Sequence, residues 1–133
     1  SPLLLAIQTF KQDQKEMDII KELIKNYADL NFREEKTGFT PIMMACHLNT
    51  EPDALKIVQL FVIIDTLRVA STGNVDAVDT INNTCLHHAA LTNKLSVVKY
   101  LIENQKAKTD LTNGDGSFAI DLTMNADVEK YLS

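Results

Sequence analysis

The feature that most constrains the fold of this chain is a short phrase that occurs twice. Residues 38–46 are Gly-Phe-Thr-Pro-Ile-Met-Met-Ala-Cys, and residues 82–90 are Asn-Asn-Thr-Cys-Leu-His-His-Ala-Ala. Aligned on Thr40 and Thr84, both copies have an aliphatic residue two positions later and an alanine five positions later. Self-similarity at a spacing of tens of residues predicts a repeat array, in which no single unit buries its apolar face alone.

Weaker copies of the phrase lie at both ends of the chain, at residues 1–7 and 117–123. A serine or threonine followed by proline predicts a helix start, because the hydroxyl caps the first turn and proline at the first helical position loses no hydrogen bond. Thr40 is followed by proline, whereas Thr84 is predicted to keep the cap without it. Apolar residues on one helical face follow, over residues 17–27 and 97–103. Each unit is therefore predicted to be a helix, a short turn, a second helix and an extended polar connection.

These residues resemble the ankyrin repeat, whose first helix begins Thr-Pro-Leu-His-x-Ala. Residues 84–90 carry that phrase with Cys85 in place of proline, and residues 40–46 carry it with Ile42 and Met43 in place of leucine and histidine. The resemblance implies an all-α solenoid of stacked helix-turn-helix units joined by extended turns. It covers residues 1–133 as a single domain of about four units, 1–35, 36–79, 80–113 and 114–133, with the last unit as a terminal cap.

The spacing of the units is irregular. Ser1 to Thr40 is 39 positions, Thr40 to Thr84 is 44, and Thr84 to Phe118 is 34. We predict that residues 63–70 prolong the second helix of the second unit. The chain begins in mid-phrase without a methionine, so we expect it to be a fragment of a longer protein.

Composition argues against several classes of function. The net charge is −5 with no basic cluster, which opposes binding to a nucleic-acid backbone. The longest apolar run, residues 57–64, is interrupted by Gln59 and is too short to span a bilayer, so we expect no membrane insertion. Cys46 and Cys85 have neither metal-ligand nor disulfide spacing and are predicted to be reduced and buried, which fits a protein of the cytoplasm or nucleus. We predict no metal site and no cofactor.

A catalytic site is not expected either. Cys46 could serve as a nucleophile beside His47 or His88, but no third residue is placed to orient the base. His87 and His88 are adjacent in a helix and point about 100° apart, so they are poorly placed to bind one ion. His87 falls on the ankyrin histidine position, where the ring braces the turn by hydrogen bonding. Met124 is expected to pack in the terminal unit.

In ankyrin arrays the first helices and the turn tips line a concave face that usually binds protein. Register places Met44 and His88 at the outward position of their helices, while Met43 and His87 point inward. The predicted partner-binding residues on this face are Phe39, Met44, His47, Leu48, Asn83, His88, Leu91 and Thr92. The resemblance thus implies a non-catalytic module that binds a protein or peptide. The alternative is a regulatory or targeting domain of a larger enzyme or effector whose catalytic part lies elsewhere.

Overall fold

The computed structural model describes residues 34–48, 51–68 and 75–133, together with the isolated helical positions Asp18 and Glu22. Apart from Asp18, Glu22 and residues 34–35, the predicted first unit, with its cap at Ser1, lies outside the described residues. Within residues 34–133 the described helices are α1 (Pro41–Cys46), α2 (Glu51–Arg68), α3 (Cys85–Leu91), α4 (Leu95–Glu103), α5 (Ala119–Leu122) and α6 (Ala126–Leu132).

The helices form three pairs stacked in two layers. The pairs are α1 with α2, α3 with α4, and α5 with α6. The first helices α1, α3 and α5 pack side by side, and α2, α4 and α6 form the second layer. The part of the chain that the structure describes contains helices and turns without a strand, which confirms the predicted all-α arrangement.

Helices α1 and α3 begin with the same reciprocal pair of hydrogen bonds. Thr84 Oγ1 accepts from the backbone N–H of His87, and His87 Nδ1 accepts from the backbone N–H of Thr84, at 3.3 and 3.2 Å. Thr40 and Met43 form the equivalent pair at α1, with the methionine sulfur as the returning acceptor. This capping box satisfies two N–H groups that a helix start otherwise leaves unpaired, and it confirms both predicted N-caps.

The core lies between the two layers. Met43, Leu86 and Leu101 are almost completely buried, together with the Val97-Val98 pair of α4. Cys46 and Cys85 are free and buried, as predicted. Met124, which was expected to pack in the terminal unit, is 94% exposed, so that expectation is wrong. It lies in the connection between α5 and α6, where its N–H donates to Asn93 Oδ1 while its side chain faces solvent.

In the turns before α3 and α5, a side-chain oxygen accepts hydrogen bonds from two backbone N–H groups. Asp79 Oδ1 accepts from the N–H groups of Ile81 and Asn83, at 3.0 and 2.9 Å. Five residues before Phe118, the N-cap residue of α5, Asn113 Oδ1 accepts in the same way from the N–H groups of Asp115 and Ser117. A short side chain that accepts from following amides folds the backbone into a tight turn.

The residue two positions before each helix cap has a left-handed backbone. Gly38, Asn82 and Gly116 have φ values of 72°, 64° and 76°. Only glycine adopts this region without steric cost, and asparagine tolerates it better than other residues. The sequence therefore uses the two residue types best suited to this place in the turn.

Hydrogen bonds join each turn to the next. Thr80 N–H donates to the Thr37 carbonyl at 3.1 Å, and Gly114 N–H donates to the Ile81 carbonyl at 2.8 Å. The buried side chains of Asn113 and Asn83 add a third link, from Nδ2 to Oδ1 at 2.9 Å. The spacing between units is thus set by backbone contact as well as by helix packing.

Helix α2 is twice as long as α4, with 18 residues against 9. It continues through Arg68, which confirms that the second helix of this unit is prolonged; residues 69–74 lie outside the described part. At its other end, Glu51 Oε2 accepts from the backbone N–H of Ser96 at 3.0 Å. This carboxylate from a neighbouring unit caps the start of α4, whose own N-cap residue, Lys94, makes no side-chain cap bond.

A search of the described helices for a segment with the length and apolarity needed to cross a bilayer found no candidate.

Two glycine substitutions separate backbone strain from contact between turns. A Cβ at Gly38 would lie 2.9 Å from the Thr80 nitrogen, whereas a Cβ at Gly116 would meet no atom within 4 Å. We expect Gly116→Ala to cost about 1–2 kcal/mol, the strain of a left-handed alanine. Gly38→Ala should cost about 1–3 kcal/mol more, because it also forces apart the turns joined by Thr80 and Thr37. Urea unfolding of both variants measures the difference, and equal losses would show that the contact between these turns is not tight.

Candidate functional site

The candidate site lies where the first two described units meet in the first-helix layer. His47 is the C-cap residue of α1, and His88 lies in α3. Phe39 immediately precedes the α1 N-cap, and Asp79 lies in the turn before α3. Packing of α1 against α3 brings together side chains that are about 40 residues apart in the sequence.

Three of these side chains form a hydrogen-bonded chain from the interior to the surface. Asp79 Oδ2 lies 2.9 Å from His88 Nε2, and His88 Nδ1 lies 2.8 Å from His47 Nε2. Asp79 and His88 are 4% and 2% exposed, whereas His47 is an exposed residue. The chain thus connects a buried carboxylate in the turn to an imidazole at the surface.

Phe39 completes the cluster with its aromatic ring. Its ring is nearly parallel to that of His47, with an interplanar angle of 14° and centroids 5.7 Å apart. Its contact with His88 is edge-to-face, with centroids 4.5 Å apart. Both geometries are favourable for aromatic pairs. Phe39 therefore packs against both imidazoles and restricts their movement.

The pKa values of His47 and His88 are both lowered, so these two rings are neutral at physiological pH. Desolvation is the main cause that lowers the pKa of His47 to about 4, with further lowering by the neighbouring His88 and Lys94. Desolvation also lowers the pKa of His88, although the hydrogen bond and the charge of Asp79 act in the opposite direction. A neutral imidazole has one N–H and one acceptor nitrogen, so each ring must take a definite tautomer.

His87 has the inward, structural role that the sequence predicts. It is 2% exposed; its Nδ1 belongs to the capping box, and its Nε2 donates to the Ser117 carbonyl at 3.0 Å. The ring thus links the start of α3 to the turn before α5. Met43, at the same position in α1, is 1% exposed.

The predicted partner-binding residues divide into two groups. The accessible ones are His47 and Leu91, which are exposed, and Phe39, Met44 and Thr92, which are partly buried. Leu48, Asn83 and His88 are buried, with exposures of 5%, 6% and 2%.

The expected outward orientation of His88 is wrong, because its ring is enclosed by Asp79, His47 and Phe39. Leu48 joins the hydrophobic core, and the Asn83 side chain is bonded to Asn113 in the next turn. These three residues therefore lie below the surface formed by the first helices and support the exposed residues there.

Cys46 is poorly suited to act as a nucleophile. It is fully buried, desolvation raises the pKa of its thiol to about 12, and its Sγ lies 3.8 Å from the Cys85 carbonyl oxygen. Burial likewise raises the pKa of Cys85. The thiolate is the reactive form of cysteine, and burial disfavours it at both positions. Among the described residues, a search for groups of histidine, cysteine, aspartate and glutamate able to hold a metal ion gave no candidate.

Asp79 is the residue of the site that the sequence analysis missed. Its signal was present: an aspartate five residues before Thr84, at the register that Asn113 occupies before Phe118. An acidic or amide residue at this place predicts a turn. That one of its oxygens also reaches a histidine in the following helix depends on the folded turn.

The lowered pKa values predict acid sensitivity. The folded-state pKa of His47, about 4, is below its ordinary value of 6.5, so the unfolded chain binds more protons between these values. The contribution of His47 to stability is therefore complete above pH 6.5 and lost as pH falls toward 4. In denaturant unfolding from pH 7.5 to 4, we expect His47→Gln to lose less stability than the wild type, because glutamine can still donate to His88 but does not titrate. Parallel pH profiles for the two proteins would contradict this assignment.

Comparison with known proteins gives consistent results. The family model described as ankyrin repeats (three copies) matches residues 3–115. The crystal structure of the ankyrin repeat domain of Bcl-3, a member of the IkappaB protein family, has a TM-score of 0.71 and covers 98% of this chain and 50% of that one. Its sequence identity of 23% shows likeness of fold alone.

Among curated proteins, the chain is similar to the palmitoyltransferase AKR1 of Debaryomyces hansenii. The two are 35% identical over 104 residues, which is 73% of this chain and 11% of AKR1. The chain thus spans only a small part of that relative. The family model matches most of the chain, and the paired helices and repeated capping box are consistent with it. This chain therefore belongs to the ankyrin repeat family.

Proposed function

We propose that this chain is a non-catalytic, intracellular interaction module of the cytoplasm or nucleus that binds a partner protein or peptide on the face formed by its first helices and turns. Ankyrin repeats are in general protein-interaction modules, and stacked units offer a continuous surface wider than any single unit. The proposed contact residues are Phe39, Met44, His47, Leu91 and Thr92, with Leu48, Asn83 and His88 as buried support.

The observation that carries this proposal is the exposure of two equivalent positions in adjacent helices. His47 and Leu91 each lie seven residues after their helix cap, at the C-terminal ends of α1 and α3, which pack together. Leu91 is 47% exposed, and both neighbouring histidines are neutral. Partly buried Phe39 and Met44 extend the apolar surface. Exposed apolar side chains with a polar border are typical of interaction sites.

The test is capture of partners with a surface variant. Leu91→Glu places a charge at an exposed position, so the fold should remain while partner capture from a lysate of the source cells falls at least tenfold. Lys56→Glu is the matched control, because it changes charge at an exposed residue of α2 in the second-helix layer. Equal capture by Leu91→Glu and the wild type, with both folded, would exclude this face as the site.

The similarity to a palmitoyltransferase favours a second candidate, a targeting domain of a larger enzyme. In this case the partner would be a protein substrate or a regulator of an attached catalytic domain. Removal of residues 1–133 from such a protein should then spare its intrinsic turnover while abolishing its selection of protein substrates, and unchanged selection would exclude the idea.

A further inference from the structure

The direction of the hydrogen bonds in the Asp79–His88–His47 chain is determined by Asp79. Its carboxylate can only accept, so His88 Nε2 carries the proton and His88 Nδ1 is an acceptor. His47 Nε2 must then donate to His88 Nδ1, which leaves Nδ1 of the neutral His47 ring as an acceptor. Within the described residues, that nitrogen has no hydrogen-bond partner, and His47 is exposed.

The electrostatic surroundings favour a cationic donor. Residues 34–48, 79–94 and 113–123, which form the first helices and the turns around them, contain five carboxylates and two lysines, Lys36 and Lys94, so negative charge is in excess although Lys94 acts on His47. Clustered charge of one sign favours partners of the other sign and speeds their association. His47 and His88 are neutral, so they add no positive charge that would repel such a partner.

The geometry favours a planar cation. A planar group that donates to His47 Nδ1 and is coplanar with the imidazole would be nearly parallel to the Phe39 ring, because only 14° separates the two ring planes. A guanidinium is planar, carries only donors and stacks on aromatic rings, whereas an ammonium offers no plane.

We propose that the Asp79–His88–His47 chain fixes His47 as a hydrogen-bond acceptor for an arginine side chain of a cationic partner peptide, beside Phe39. This inference rests on the proposed interaction face and specifies the chemistry of its partner. Asp79 is a positioning residue here, because it acts on the partner only through the tautomers of two histidines.

The equivalent turn before α5 shows how an asparagine behaves at the position of Asp79. At the equivalent register, Asn113 uses its Oδ1 for the turn amides and its Nδ2 as a donor. Asp79→Asn should therefore keep the turn, with Oδ1 on Ile81 and Asn83, and present a donor to His88 Nε2. The direction of every bond then reverses, and His47 Nδ1 becomes a donor.

The first arm of the test measures the tautomers by nitrogen NMR on the whole chain. We expect His87, His88 and His47 to carry the proton on Nε2 in the wild type. In Asp79→Asn, His88 and His47 should switch to Nδ1, while His87, held by Thr84 and Ser117, remains unchanged as an internal control of folding. A wild-type His47 protonated on Nδ1 overturns the inference even if the variant does not fold, as does a folded variant with no switch.

The second arm uses two blocked tripeptides, one with a central arginine and one with its neutral isostere citrulline. In chemical-shift titrations at pH 7, the arginine probe should bind the wild type at least fivefold more tightly than the citrulline probe. The preference should disappear in Asp79→Asn and in His47→Phe, a change at an exposed position. Equal binding of the two probes, or a preference that survives both substitutions, overturns the inference.

The outcome separates the two proposals. If the arginine preference fails while Leu91→Glu still abolishes partner capture, the interaction face stands and the arginine site is wrong. If the arginine preference holds while Leu91→Glu captures normally, the arginine site stands, and the larger face is wrong.

Discussion

The carboxylate of Asp79 is the interaction on which both the turn and the candidate site depend. One oxygen accepts from two turn amides, and the other lies against the imidazole of His88. A buried carboxylate is costly unless its oxygens are satisfied, and here three hydrogen bonds do so. The same side chain therefore folds the connection between units and fixes the first member of the histidine chain.

The difference between Asp79 and Asn113 shows how a repeat acquires individual chemistry. Both residues hold their turn through Oδ1. The second atom of Asn113 is a donor and bonds Asn83 in the previous turn, whereas that of Asp79 is an acceptor and faces the following helix. A single-atom difference at one register thus changes which neighbour a turn engages.

Much of the local structure could be predicted from the sequence. Thr40 and Thr84 were identified as caps, and His87 was placed inward, because capping and helical register depend on residues within one turn of each other. The prolonged α2 followed from the wide spacing of the second unit. These features require little knowledge of which unit packs against which.

The burial of His88, Leu48 and Asn83 could not be predicted in the same way. His88 is enclosed by Phe39 and His47 from another unit and by Asp79 from its own turn. Asn83 is buried by a bond to the next turn. Helical register gives the direction of a side chain from its own axis, but burial at a junction depends on the neighbouring unit.

Amide hydrogen exchange in Asp79→Ala tests most directly the claim that this carboxylate organises the junction between units. The account predicts faster exchange at Ile81 and Asn83, which lose their acceptor, and also at Thr80 and Gly114, which donate to the adjoining turns. Amides in the middle of α4 should remain protected. Unchanged protection at Thr80 and Gly114 in a folded variant would contradict the account, since the turns would then keep their shape and contacts without Asp79.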